Sequence, residues 1–207
     1  MFDASVMFSA FGLAFAQIVG IGPQNAYVLR QGIARSHVGL IVLVCIVCDI
    51  VLMSCGVFGM GGVIAGVPGL VRVLAWGGAG FIFWLGFKAF RAAFARQHGA
   101  LSLDGNVERE RRAVCRTLLM VTLLNPYALL DTIVLIGGVS SAYGKHNQVS
   151  FLIGSTLASA CWFVALGAFA AKLAPWFARP ASWRVLDGAI GVVMFFTGGM
   201  LLVNFGL

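Results

Sequence analysis

Two aspartates, Asp49 and Asp131, each stand inside a long apolar run, Val38–Ile64 for the first and Cys115–Val139 for the second. If those runs are helical, a rise of about 1.5 Å per residue puts Asp49 roughly 18 Å from His37 and Asp131 roughly 22 Å from Arg116. Both then lie near the middle of a hydrocarbon core about 30 Å thick. A carboxylate at that depth costs ~2.5 kcal/mol or more, so each should face a cavity or a partner. Such acids can neutralise a cationic substrate, carry protons, or pair with a cation of the protein. No Lys or Arg is expected at comparable depth, and Arg30 is the cation nearest to a helix break. Substrate-binding and proton-coupling roles for Asp49 and Asp131 are therefore the stronger readings.

Two further stretches could do chemistry with their backbone. The first apolar segment is interrupted at Gly20-Ile21-Gly22-Pro23-Gln24-Asn25, and the fourth at Leu124-Asn125-Pro126-Tyr127. A proline inside a helix removes a donor, and its ring clashes with the carbonyl four residues earlier. The freed polar groups are tolerated at membrane depth only where they are buried in protein or line a wet cavity. The spacing thus predicts a site in which Gly22, Pro23, Gln24, Asn25, Asn125 and Pro126 join the two acids. An unwound Gly22–Asn25 segment would present an electropositive half-helix N-terminus to a carboxylate. Ser155, Thr156 and Ser159 are secondary candidates for the cavity. Ser155 and Ser159 share a helix face, as do Gly154 and Ala158, and small residues so spaced chiefly pack helices together.

Other constellations are weaker. Cys45-x-x-Cys48-Asp49 offers soft and hard metal ligands within one turn, but His37, His98 and His146 fall near membrane edges or in loops. The five cysteines sit within or beside apolar segments and form no disulfide framework. A thiol oxidoreductase wants accessible cysteines with a lowered pKa. Neither a helical His-Glu-x-x-His, a Ser/His/Asp set nor a phosphate-cradling Gly-Lys loop is present. The expectation is that the chain is not an enzyme, binds no resident metal and needs no cofactor.

The elements that must position these residues follow from composition. Hydrophobic residues make up 60% of the 207 and charged residues only 10%, against roughly 25% in a soluble domain. Six runs approach the roughly 20 apolar residues that a spanning helix needs: Val6–Leu29, Val38–Ile64, Leu70–Phe94, Cys115–Val139, Val149–Leu173 and Trp183–Phe205. The second is long and is expected to tilt or to end near Gly59–Gly62. Ala14-Phe15-Ala16 resembles a cleavage site, but with Asp3 and no basic residue ahead of it the first run reads as a helix. Twelve of the fourteen Lys and Arg fall in the first, third and fifth connections, leaving Arg72 and Lys145 opposite. The positive-inside rule then makes those connections cytoplasmic and puts both termini outside. The net charge of +7 is thus an orientation signal, and no basic module for nucleic acid exists.

The predicted fold is all-α: a polytopic membrane protein of six transmembrane helices in two inverted three-helix repeats, residues 1–96 and 113–207. The polar stretch 97–112 reads as a cytoplasmic linker, and the first and fourth helices are broken. Matched broken segments in inverted halves point to a transporter binding site.

At these residues the chain resembles a known family. Gly22-Pro23-Gln24-Asn25-Ala26-Tyr27-Val28-Leu29-Arg30-Gln31-Gly32 is similar to the N-terminal signature of the LysE/ArgO exporters, and Leu124-Asn125-Pro126-Tyr127-Ala128-Leu129-Leu130-Asp131-Thr132 resembles their second signature. The resemblance implies a secondary transporter in the bacterial inner membrane, exporting L-lysine and L-arginine under the membrane potential and proton gradient. Protons and membrane lipid would be its other partners, and homo-oligomerisation is left open. Exporters of neutral amino acids such as homoserine or threonine share the implied fold, and export of a divalent metal ion is the second alternative.

Overall fold

The computed structural model describes residues 2–19, 22–60, 66–94, 110–123, 125, 128–178 and 180–203. Eight helices account for nearly all of them: α1 (Ala4–Ile18), α2 (Pro23–Ile33), α3 (Val38–Cys55), α4 (Pro68–Phe94), α5 (Arg111–Leu123), α6 (Leu129–Ala142), α7 (Gln148–Leu173) and α8 (Pro180–Leu201). No strand occurs among the described residues.

Local chemistry sets several boundaries. Asp3 caps α1, its Oδ1 accepting from the Ser5 amide at 2.9 Å, the Ser5 hydroxyl at 2.7 Å and the Val6 amide at 3.3 Å. The Ser5 hydroxyl and the Val6 amide hold its carboxyl below the usual range. Pro23 occupies the first position of α2, where its missing donor would be unpaired in any case. Here the structure corrects the expected carbonyl clash: the proline starts a new helix rather than kinking an old one. The axes of α1 and α2 differ by 76°. Beyond Cys55, α3 runs on through a wide turn over Gly56–Met60, and Gly59 takes φ +124°, which ends the span inside the predicted region.

Four described helices are long and apolar enough to cross a membrane: Val38–Gly59, Gly69–Phe94, Lys145–Phe177 and Ala181–Leu201. A fifth is obtained if α1 and α2 together make one bent span. The predicted fourth segment is divided between α5 and α6, neither of which is long enough alone. Exposed apolar side chains face outward along the long helices, among them Leu43, Val47 and Val51 on α3, Trp76 and Phe87 on α4, and Val192 and Phe196 on α8. Such an outer surface suits lipid rather than water.

Packing joins elements distant in sequence. Helices α4 and α8 lie along one another through Ala75, Ala79, Ile82, Ala89, Ile190, Met194 and Leu201. The Phe195 ring sits 5.4 Å from Phe83 and 5.6 Å from Phe90. Helices α1 and α2 pack on α7, where Gly154 comes so close that a Cβ would stand 2.2 Å from the Met7 carbonyl oxygen. Helices α5 and α6 pack on α3, where Gly137 meets the backbone of Gly56 equally closely. Small residues thus let these backbones touch, as they do in helical membrane bundles.

Candidate functional site

The interruption between α1 and α2 leaves helix-end carbonyls without intrahelical donors. One is satisfied locally: Asn25 Nδ2 donates to the Ile18 carbonyl at 2.8 Å. Asn25 Oδ1 in turn accepts from Trp162 Nε1 of α7 at 3.2 Å, so the buried asparagine locks the break against the neighbouring span. Gly22 is extended and its carbonyl accepts from the Ala26 amide at 3.0 Å, opening the first turn of α2. Gln24 follows, its side chain directed at Asp49 and Cys45, with a buried Nε2 that lacks an acceptor at hydrogen-bond geometry.

Asp49 lies on α3 and is buried. The Ser159 hydroxyl of α7 donates to its Oδ2 at 2.7 Å. Asp131 falls in the first turns of α6, where Leu129–Ile136 is wound wider than an α-helix. Wide turns of this kind occur preferentially at functional sites. Gln17, the penultimate residue of α1, donates from Nε2 to the Asp131 carbonyl at 2.7 Å and so ties the two interrupted regions together.

These groups converge on one cavity of about 80 Å³, with Gly22, Pro23, Gln24 and Asn25 along one wall. Asp49, Asn125 and Asp131 face it with Gln17 and Thr132, and apolar side chains including Met53, Ile136 and Phe163 complete the lining. Seven of the eight residues expected from sequence are therefore brought together; the eighth, Pro126, lies outside the described residues. The arrangement is two carboxylates facing a helix N-terminus and several amides, a set that matches a molecule carrying both cationic groups and a carboxylate.

Sequence reasoning missed or undervalued three features in and around the site. Gln17 was signalled only as a polar residue late in an apolar helix. Ser159, a secondary candidate, contacts an acid directly, whereas the Ser155 hydroxyl donates to the Phe151 carbonyl of its own helix at 2.6 Å. The third is Asp187 on α8, a buried acid outside the cavity lining, only 2% exposed and ion-paired with Arg30 of α2. Arg30, expected as the cation nearest to a helix break, thus pairs with an acid other than Asp49 or Asp131, because the bend after α1 brings it against α8. No group of three or more His, Cys, Asp or Glu residues that could hold a metal comes together among the described residues.

An acid-lined cavity beside helix breaks, in a bundle whose described residues are helical and include four membrane-span candidates, is the kind of site that a multi-pass transporter presents. Residues 15–204 match the LysE type translocator family, and the chain belongs to it. It is 37% identical over 191 residues to the arginine exporter protein ArgO of Serratia proteamaculans (strain 568), covering 92% of this chain and 93% of that protein. The arginine exporter protein ArgO of Yersinia enterocolitica is 36% identical over 192 residues, 93% of each chain. No solved structure matches the chain.

Proposed function

We propose that the chain is a secondary transporter that exports L-arginine and L-lysine from the bacterial cytoplasm in exchange for protons. The observation that carries this reading is the single cavity shared by Asp49, Asp131 and the start of α2. Its acids suit the substrate's cationic groups, and its amides and helix end suit the α-carboxylate. Names borne by relatives that align over more than nine-tenths of both chains favour arginine as cargo.

The same reading treats the chain as six spans in two inverted halves, α1–α4 and α5–α8. In support, each half's interrupted element packs on the other half's second span: α1 and α2 on α7, α5 and α6 on α3. The third spans, α4 and α8, pair with each other. The basic end of the bundle, holding Arg30, Lys88, Arg116 and Lys172, is taken as cytoplasmic, in the inner membrane, with both termini outside. Protonation of Asp49 or Asp131 on the outer side would cancel a counter-charge and release the cation, coupling proton entry to export.

The test is efflux of radiolabelled arginine and lysine from proteoliposomes containing the full chain. Asp49→Asn and Asp131→Asn each remove a charge-assisted contact of about 1.5–3 kcal/mol, a roughly ten- to hundredfold weakening of substrate affinity. Efflux unchanged in both variants would overturn the electrostatic site. Efflux indifferent to an imposed pH gradient would remove proton coupling alone, and preferential movement of homoserine would shift the cargo to neutral amino acids.

A further inference from the structure

A second cavity, of about 280 Å³, opens in the seam between α2 and the α4/α8 pair, lined by Pro23, Ala26, Tyr27, Arg30, Lys88 and Thr117 among others. Pro23 lines the acidic cavity too and so borders both. The acidic cavity, at about 80 Å³, has room for only a few waters. The seam cavity approaches the lower bound of about 300 Å³ for small-molecule sites. Its charged residues have the opposite sign. Arg30 is fixed by Asp187, and Lys88 stands 4.7 Å from the centre of the Trp84 ring. A guanidinium carries five donors, more than one carboxylate contact occupies, and its fork suits a second carboxylate.

We propose that this seam cavity is a vestibule in which Arg30 and Lys88 take the α-carboxylate of the amino acid before it passes Pro23 into the acidic chamber. The proposal rests on the export reading above. Its physical content is orientation. With the carboxylate held on the two cations, the substrate's own cationic end points across Pro23 toward Asp49 and Asp131. The reverse pose sets like charges against each other at both ends. Asp187 is a positioning residue: it keeps the Arg30 fork at the seam.

The test measures arginine flux in oriented proteoliposomes of the full chain, with substrate supplied from the basic face or from the opposite face. Lys88→Gln is the principal variant, because Lys88 is exposed and its loss leaves no buried charge unpaired. We expect KM from the basic face to rise roughly tenfold with its kcat unchanged, the loss of one charge-assisted contact, and the opposite-face KM to stay unchanged while its kcat falls by the same factor, as microscopic reversibility requires. Lys88→Arg should restore it. The double variant Arg30→Gln with Asp187→Asn should show the same one-sided rise. Argininamide, which lacks the carboxylate, should be insensitive to Lys88→Gln. Equal rises at both faces, no rise at all, or a rise confined to vesicles with anionic lipid would each overturn the vestibule. If the unmodified chain moves no arginine, the export reading falls and the vestibule with it. Arginine flux with an unaltered KM in Lys88→Gln sinks the vestibule alone.

Discussion

Asp187 sits about two turns into α8, buried and ion-paired with Arg30. A buried ion pair contributes little net stability over an apolar replacement, because desolvation offsets most of the attraction. Breaking it from one side is different, since a charge is then left without its counterpart. Asp187→Asn should therefore cost about 3 kcal/mol, near the lower end of the range, because the Arg30 side chain keeps 21% exposure. Adding Arg30→Gln should restore most of that loss. The measurement is thermal unfolding in detergent for the two single variants and the double. Single losses that simply add in the double variant would show that the two groups are not coupled. Ser159 belongs to the same scale. Its hydroxyl is the hydrogen-bond donor to the Asp49 carboxylate at 2.7 Å, so Ser159→Ala should weaken arginine transport while Ser155→Ala, which removes a hydroxyl bonded within its own helix, should leave it intact. Matching flux in both serine variants would remove Ser159 from the site.

At the scale of elements, contact between helices depends on residues without side chains. A Cβ at Gly154 would fall 2.2 Å from the Met7 carbonyl oxygen and 2.9 Å from its carbon, both backbone atoms that cannot rotate away. Gly154→Ala must push α1 off α7 and should cost about 1–3 kcal/mol. Gly12→Ala, with nothing within 4 Å of the new Cβ, should change stability by no more than about 0.5 kcal/mol. Melting of the two variants side by side checks this, and equal melting temperatures would refute the close approach. The same elements show what a linear reading can and cannot reach. Gly22-Pro23 marks a helix start because proline suits that position and no later one, and Gly59 marks a helix end because its φ of +124° is one that other residues rarely adopt. The acids were legible too, since charge within an apolar run is conspicuous. The Arg30–Asp187 pair was not. The two residues are 157 positions apart, and Asp187 lies so near the start of its segment that it reads as a boundary residue. Gln17 was hidden for the same reason: its partner is a backbone carbonyl on a distant helix, which leaves no mark in composition.

For the whole molecule, the packing separates into parts of unequal continuity. The α4/α8 pair is zipped along its length by alanines and by Phe83, Phe90 and Phe195, and α1 is zipped to α7 by Ala10, Ala14, Phe151 and Ala158. Between the first pair and α2 lies the seam, where contact is interrupted by the 280 Å³ cavity and bridged by the Arg30–Asp187 pair. Well-packed cores do not deform continuously, so relative motion should fall where packing is discontinuous. We expect transport to require the α4/α8 pair to move against α2, changing the width of this seam. Ala26 and Ile190 line it from opposite sides and belong to one buried cluster. With the five native cysteines replaced, Ala26→Cys and Ile190→Cys should be joined by a short bifunctional thiol reagent, with near-complete loss of arginine flux. A reducible linker should return the flux once cleaved, and either cysteine alone should leave it unaffected by the reagent. Arginine flux that persists with the two cysteines joined would mean that the seam stays fixed, and the moving boundary would then have to be sought between α3 and α7 instead.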